Sequence, residues 1–268
     1  MLKQVFNHEV ALGLIQVGFT AVLALAVMLA ARRRRIHLER ETVVALARGL
    51  VQIVIVGWVL IVLLRGPRWT SVFILAAMLI AAARISARRA AGIPGAFRVS
   101  LYAIGCGAGV VVFLMTLVGV IHTAITTLIP IGSMVIANAM NTNSLVLNRF
   151  RAEVESHTGL IETALALGAS SKATAQPYTQ AACESSLIPA IDSMRSLGIV
   201  WIPGLMTGML LAGANPIYAA LYQFVIIAMI FSASGLTSMV GSLLVRSRAF
   251  SSAEQLTLRP GIPLVPTR

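Results

Sequence analysis

Apolar runs of about 20 residues recur along this chain, and no other feature limits its fold as much. A bilayer core is roughly 30 Å thick and a helix rises ~1.5 Å per residue, so each run is long enough to cross. Lipid offers no water to backbone amides and carbonyls, so runs of this kind must close their hydrogen bonds within helices. Composition agrees: 58% of residues are apolar and 11% charged, against about 25% charged in soluble domains. The expected fold class is an all-α integral membrane protein.

Seven spans are read, at 9–31, 43–64, 70–87, 98–121, 124–147, 187–213 and 216–245. The first run is too long for the apolar core of a secretory signal, and no small-residue cleavage site follows it; it is read as span one. Basic residues set the orientation. Arg32 to Arg35 and Arg40 follow span one, Arg84, Arg88, Arg89 and Arg98 border span three, Arg149, Arg151 and Lys172 follow span five, and Arg246, Arg248, Arg259 and Arg268 follow span seven. Lys3, Arg65 and Arg68 face the other way. The positive-inside bias then puts the N-terminus outside and the C-terminus in the cytosol. The net charge of +12 also raises nucleic-acid binding, but the cations lie between spans and form no stripe. Partners are therefore the lipid bilayer and other proteins, with no nucleic acid.

The connections on the outer side are short: Arg65-Gly66-Pro67-Arg68, His122-Thr123 and Ala214-Asn215-Pro216. Asn215 can cap the last helix, with Pro216 in its first position. One transmembrane domain is expected over 1–249. The remainder, 250–268, contains Arg259-Pro260-Gly261 and Pro263 and is expected to be a disordered cytosolic tail. The one sizeable soluble part is 148–186. Leu147, Phe150, Val154, Ile161 and Leu165 recur at helical spacing, so span five is expected to continue as an amphipathic helix. Gly168 can end it in a left-handed cap, Ser170 can cap a second short helix, and Pro177 is expected to kink or restart that helix. The product is a helix–turn–helix elbow.

Polar residues inside the spans mark where chemistry can occur. Arg48 and Gln52 lie one turn apart in span two. Asn138, Asn141 and Asn143 fall in span five, Asp192 and Arg195 at i,i+3 spacing in span six, and Gln223 beside Tyr222 in span seven. Such groups are costly in a membrane and face a pathway or each other. Both readings stand: a translocation path or gate, and polar pairs that lock the bundle. Pro203 and Pro130 remove backbone donors from spans six and five, with Gly204 and Gly132 close behind, and a freed carbonyl needs a new partner. Gly105, Gly107 and Gly109, and Gly204 with Gly208, allow close helix contact. Met134, Met140, Met194, Met206 and Met209 suit soft metal ions or simple gap filling. Cys106 and Cys183 form no disulfide or zinc pattern.

The sequence contains no G-x-x-x-x-G-K-[ST] phosphate loop, and the histidines at 8, 37, 122 and 157 pair with no nucleophile. The chain is expected to be no enzyme and to bind no cofactor of its own.

Four stretches carry a resemblance: PIGSMVIANAM (130–140), ETALALGAS (162–170), LIPAIDSMRSLGIVWIPGLMTGMLLAG (187–213) and NPIYAALYQFVI (215–226). ARGLVQIVIVGW (47–58) adds Arg48 and Gln52. Together they resemble the FetB-type permeases of ABC transporters, which include bacterial iron-export permeases and plant aluminium-tolerance permeases. The resemblance covers roughly 45–245. It implies a permease in the inner or plasma membrane, likewise a homodimer paired with a cytosolic ABC ATPase that carries the ATP, and a metal ion, iron by family expectation, as exported cargo. Glu162, Ala164, Gly168 and Ser170 then fall in the ATPase-coupling elbow. Asn138, Asn141, Asp192, Arg195, Pro203, Gly204 and Gln223 become candidates for the path or gate. The sequence departs from the family at Gly132-Ser133, Ala137, Trp201 and Pro177.

Overall fold

A computed structural model of the chain describes residues 2–33, 39–63, 69–90, 92–251 and 254–258. They divide into two compact units, Met1–Arg65 and Gly66–Arg268, where the sequence suggested one domain. The described residues are helical, with two isolated backbone bridges and no strand.

The first unit holds α1 (Leu2–Arg33) and α2 (Glu39–Leu63), which contain spans one and two. Their apolar stretches are Ile15–Ala30 and Thr42–Gly57. In the second unit α3 (Thr70–Arg89), α4 (Ala96–Leu117) and α9 (Pro216–Ala249) are long and apolar enough to cross a membrane. Between α4 and α9 come α5 (Ile125–Ser156), α6 (Thr158–Ala166), α7 (Ser171–Ser196) and α8 (Gly204–Leu211).

α9 is the central post. It packs against α4, α5, α7 and α8. Toward one end it shares a buried cluster with Ala83, Ile104, Val135 and Ala139, through Ile226, Met229 and Ala233. Toward the other, Val245 and Ala249 join Leu147, Phe150, Val154 and Ile161. The period expected for span five therefore holds: its apolar face runs on through α5 into α6 and stays buried. Met134, Met140 and Met194 pack against the first cluster as gap fillers.

The glycines of span four behave differently from one another. Gly105–Gly109 form a π-helical turn inside α4. Gly107 faces α9 so closely that an added Cβ would overlap Thr237 Oγ1 and lie 2.6 Å from the Ala233 carbonyl oxygen. Gly105 and Gly109 have open space around them. So do Gly204 and Gly208, and the close contact expected of that pair is not made by the described residues.

Span six, 187–213, is broken, as the sequence suggested: α7 ends at Ser196 and α8 starts at Gly204, with 197–203 non-helical between them. Pro203 is the residue that precedes α8, with ψ 147°, and so begins a helix instead of bending one. One expectation needs correction: Pro177 does not restart a short helix, since α7 runs for 26 residues through both Pro177 and Pro189. Pro177 and Ala173 are exposed, so water can serve the carbonyl that lacks a donor. Part of the segment after α9 lies among the described residues. Residues 254–258 fold back on the end of α9, and Leu258 is buried. The rest, 259–268, lies outside the described residues.

Candidate coupling elbow and translocation path

The elbow is built by local capping. α6 closes with a Schellman arrangement: Gly168 N–H donates to the Leu165 carbonyl and Ala169 N–H to the Ala164 carbonyl, both at 3.0 Å. That geometry needs a left-handed residue, and Gly168 supplies it with φ +89°. Ser170 then accepts the Ala173 N–H through its side chain at 3.3 Å, and its carbonyl accepts the Thr174 N–H at 3.0 Å. So Gly168 and Ser170 do the capping their types suggest, and Ala164 takes part only through its carbonyl. Leu167 projects at the tip, 84% exposed. The His157 and Tyr178 rings lie 5.0 Å apart and join the start of the elbow to α7.

Glu162 is exposed on α6. It borders a notch of about 370 Å³ with Leu165, Glu254, Gln255 and Leu256. Glu254 carried no role in the sequence reading. Its signal was available: it is the only acidic residue after Asp192, in a stretch of arginines.

The second candidate region is the break between α7 and α8. Gly198 takes φ +75° and its N–H donates to the Trp201 carbonyl at 3.1 Å, closing a tight turn. Trp201 Nε1–H donates to Ser196 Oγ at 3.1 Å. The first amides of a helix lack intrahelical acceptors. Here the Pro203 carbonyl accepts the Thr207 N–H at 3.1 Å, and Gln223 Oε1 of α9 accepts the Met206 N–H at 3.2 Å. That contact fixes the amide's orientation, since a flip would set NH₂ against N–H. Gln223 is only 1% exposed, and its Nε2 has no partner. Of the sequence-predicted residues, Pro203 and Gly204 thus open α8, and Gln223 reaches its first turn at the Met206 amide.

The other candidates do not join them. Asn138 Nδ2 donates to the Met134 carbonyl of its own helix at 2.9 Å, and Asn141 is exposed. Arg195 Nη1 and Asp192 Oδ1 are 3.9 Å apart with side chains 78% and 61% exposed, a loose surface pair instead of a buried lock. Arg48 and Gln52 are both exposed on α2. The buried lock lies elsewhere. Asn143 Nδ2 donates to Ser86 Oγ of α3 at 2.8 Å and to Ser100 Oγ of α4 at 2.9 Å. Ser144 Oγ adds a bond to Ser86 Oγ at 3.1 Å. Gly241 of α9 lies against Asn143 Oδ1, where a Cβ would be 2.8 Å away. A second buried group joins Ser186 and Cys183 of α7 to Ser238 of α9. Asn143 was among the polar residues that the sequence marks in span five; its serine partners Ser86 and Ser100 were not.

Among the described residues, no three His, Cys, Asp or Glu side chains come together to hold a metal ion. The His8 side chain and His37 lie outside the described residues.

A family model described as "Uncharacterised protein family (UPF0014)" matches residues 14–250. The chain belongs to the UPF0014 family. Its relatives in that family include the rice (Oryza sativa subsp. japonica) "UPF0014 membrane protein STAR2", 30% identical over 94% of this chain and 88% of the relative. Another is the Escherichia coli (strain K12) "Probable iron export permease protein FetB", 29% identical over 94% of this chain and 95% of the relative. The Arabidopsis thaliana "Protein ALUMINUM SENSITIVE 3" is 27% identical over 91% and 90%. The FetB-type resemblance read from the motifs is thereby shown, and with it a multi-pass membrane protein. No solved structure matches the chain.

Proposed function

We propose that this chain is the permease subunit of an ABC transporter: it exports a metal ion, iron by family expectation, and is driven by a separate ATP-binding subunit. One observation carries the reading. α5 runs unbroken for 32 residues, and the elbow that follows turns the chain at Gly168 and sends it back through α7 to the break beside Gln223. A force applied at the elbow thus has a helical route to that break. The relative named as a probable iron export permease supplies the cargo class. In this reading seven spans put the N-terminus outside and the elbow in the cytosol, and two copies pair with two ATPase subunits. Glu162, Ala164, Gly168 and Ser170 shape the docking elbow. Pro203, Gly204 and Gln223 form the moving part, with Asp192 and Arg195 at its mouth.

The test is co-purification with the candidate ATPase, then ATP hydrolysis in lipid vesicles with and without iron(II). Association with metal-stimulated hydrolysis supports the reading. Association without stimulation removes iron as cargo, and no association points to an ATP-independent transporter or a non-transporting membrane partner. Gly168→Ala strains a left-handed position by about 1 kcal/mol or more. Combined with Glu162→Ala, it is expected to leave hydrolysis running while transport falls at least tenfold, an order-of-magnitude expectation from coupling energies of about 1–3 kcal/mol. Full transport in that double variant sinks the coupling role.

A further inference from the structure

The residues at the notch lead past the elbow itself, to the segment that follows α9. This segment makes an antiparallel bridge between Phe250 and Leu256. Ser251 N–H donates to the Gln255 carbonyl, and Thr257 N–H to the Ala249 carbonyl, both at 2.8 Å. Thr257 Oγ1 donates to the Arg248 carbonyl at 3.1 Å. Leu258 is buried and Leu256 packs on the cluster that holds Phe150, Val154 and Ile161. The segment is therefore fixed both to the end of α9 and to the apolar underside of the elbow.

At its turn, Glu254 takes φ +56°, a left-handed conformation that a glutamate rarely adopts. The turn delivers its carboxylate to the start of α7. Oε2 accepts the Ser171 N–H at 3.2 Å, and Oε1 accepts Ser171 Oγ–H at 3.5 Å. Ser170 serves the Ala173 amide. Two first-turn donors of α7 are thus met by side chains, one from the residue just before the helix and one from the segment after α9, and a negative charge sits at the positive end of the helix.

We propose that Phe250 and Ser251 together with residues 254–258 form a clasp that fixes the elbow, with Glu254 as the positioning residue acting through the first turn of α7. The clasp sets the direction in which α7 leaves the Gly168 turn, and α7 runs from there to the break at Ser196. Its functional half rests on the elbow being the ATPase docking element.

Hydrogen exchange of the full chain in lipid nanodiscs tests the clasp itself, comparing wild type, Glu254→Gln and Glu254→Gly. Exchange at the Ser171 amide is expected to rise about two- to tenfold in Glu254→Gly and less in Glu254→Gln, with α4 and α9 unchanged. Glycine relieves the left-handed backbone, so a residue that only forms the turn gives unchanged or slower exchange in Glu254→Gly. That result overturns the proposal. A second readout is ions moved per ATP in the complex with the ATPase, expected to fall in Glu254→Gly with hydrolysis retained; an unchanged ratio overturns the functional half. If the wild-type chain does not bind the ATPase, the docking reading fails while the exchange result still decides the clasp.

Discussion

Gly107 and Gly208 both sit in apolar helices, and their surroundings are opposite. At Gly107 the backbone of α4 meets α9 with no room for one more carbon, and the obstacle includes the Ala233 main-chain oxygen, which cannot swing aside. At Gly208 nothing lies within 4 Å, and α8 has no buried residue apart from the Pro203 that precedes it. Packing in a membrane draws on close van der Waals contact because the lipid is as apolar as the side chains. The α4–α9 crossing has that contact in full. α8 is held to the rest by the Gln223 amide at the Met206 N–H and by Leu205, which packs against the first cluster. One region is a close-packed crossing and the other is a short helix attached through its first turn.

Four substitutions break or sharpen this contrast. Gly107→Ala is expected to have the largest effect, a loss of about 3 kcal/mol or failure to fold, measured by unfolding in detergent. Adding Thr237→Ala removes one obstacle and leaves the Ala233 carbonyl, so rescue should be partial. Full rescue would show that the contact is a side-chain matter and the crossing softer than described. Gln223→Leu is intermediate. It leaves the Met206 N–H without its acceptor, at about 1 kcal/mol, and raises exchange at that amide while α4 keeps its protection. Gly208→Ala is smallest and of opposite sign, a gain of roughly 0.5–1 kcal/mol from helix propensity in open space. A large loss there would mean that α8 packs against something in the assembled transporter.

The elbow was legible in the sequence because capping is local. A glycine that must take positive φ and a serine three residues before the amide it serves carry their information within one turn of chain. The buried run Leu147, Phe150, Val154 and Ile161 was legible for the same reason, through its period. What the sequence could not fix was long-range. A proline in an apolar run reads equally as a kink or as the residue before a new helix. The choice at Pro203 is made by the turn at Gly198 and by Gln223 on another helix. Asp192 and Arg195 pair at i,i+3 as their spacing suggests, but loosely and with exposed side chains, which their apolar run does not indicate. The tail was expected to be disordered from the prolines and glycine after 259. Leu256 and Leu258, two residues apart, are the sign of an extended segment with one buried face, and that sign is weak over so short a length.

Asn143 has a consequence for how the chain is put together. Its amide hydrogens are accepted by Ser86 and Ser100, on two helices that precede it, while Gly241 closes over its oxygen from the last helix. In hydrocarbon no water can stand in for a missing member. A chain with α3 or α4 misplaced therefore carries an unmet amide hydrogen, and the state in which both are met is the native one. One small side chain thus ties three helices through its two amide hydrogens, while its own oxygen stays buried under Gly241 without a hydrogen-bond partner.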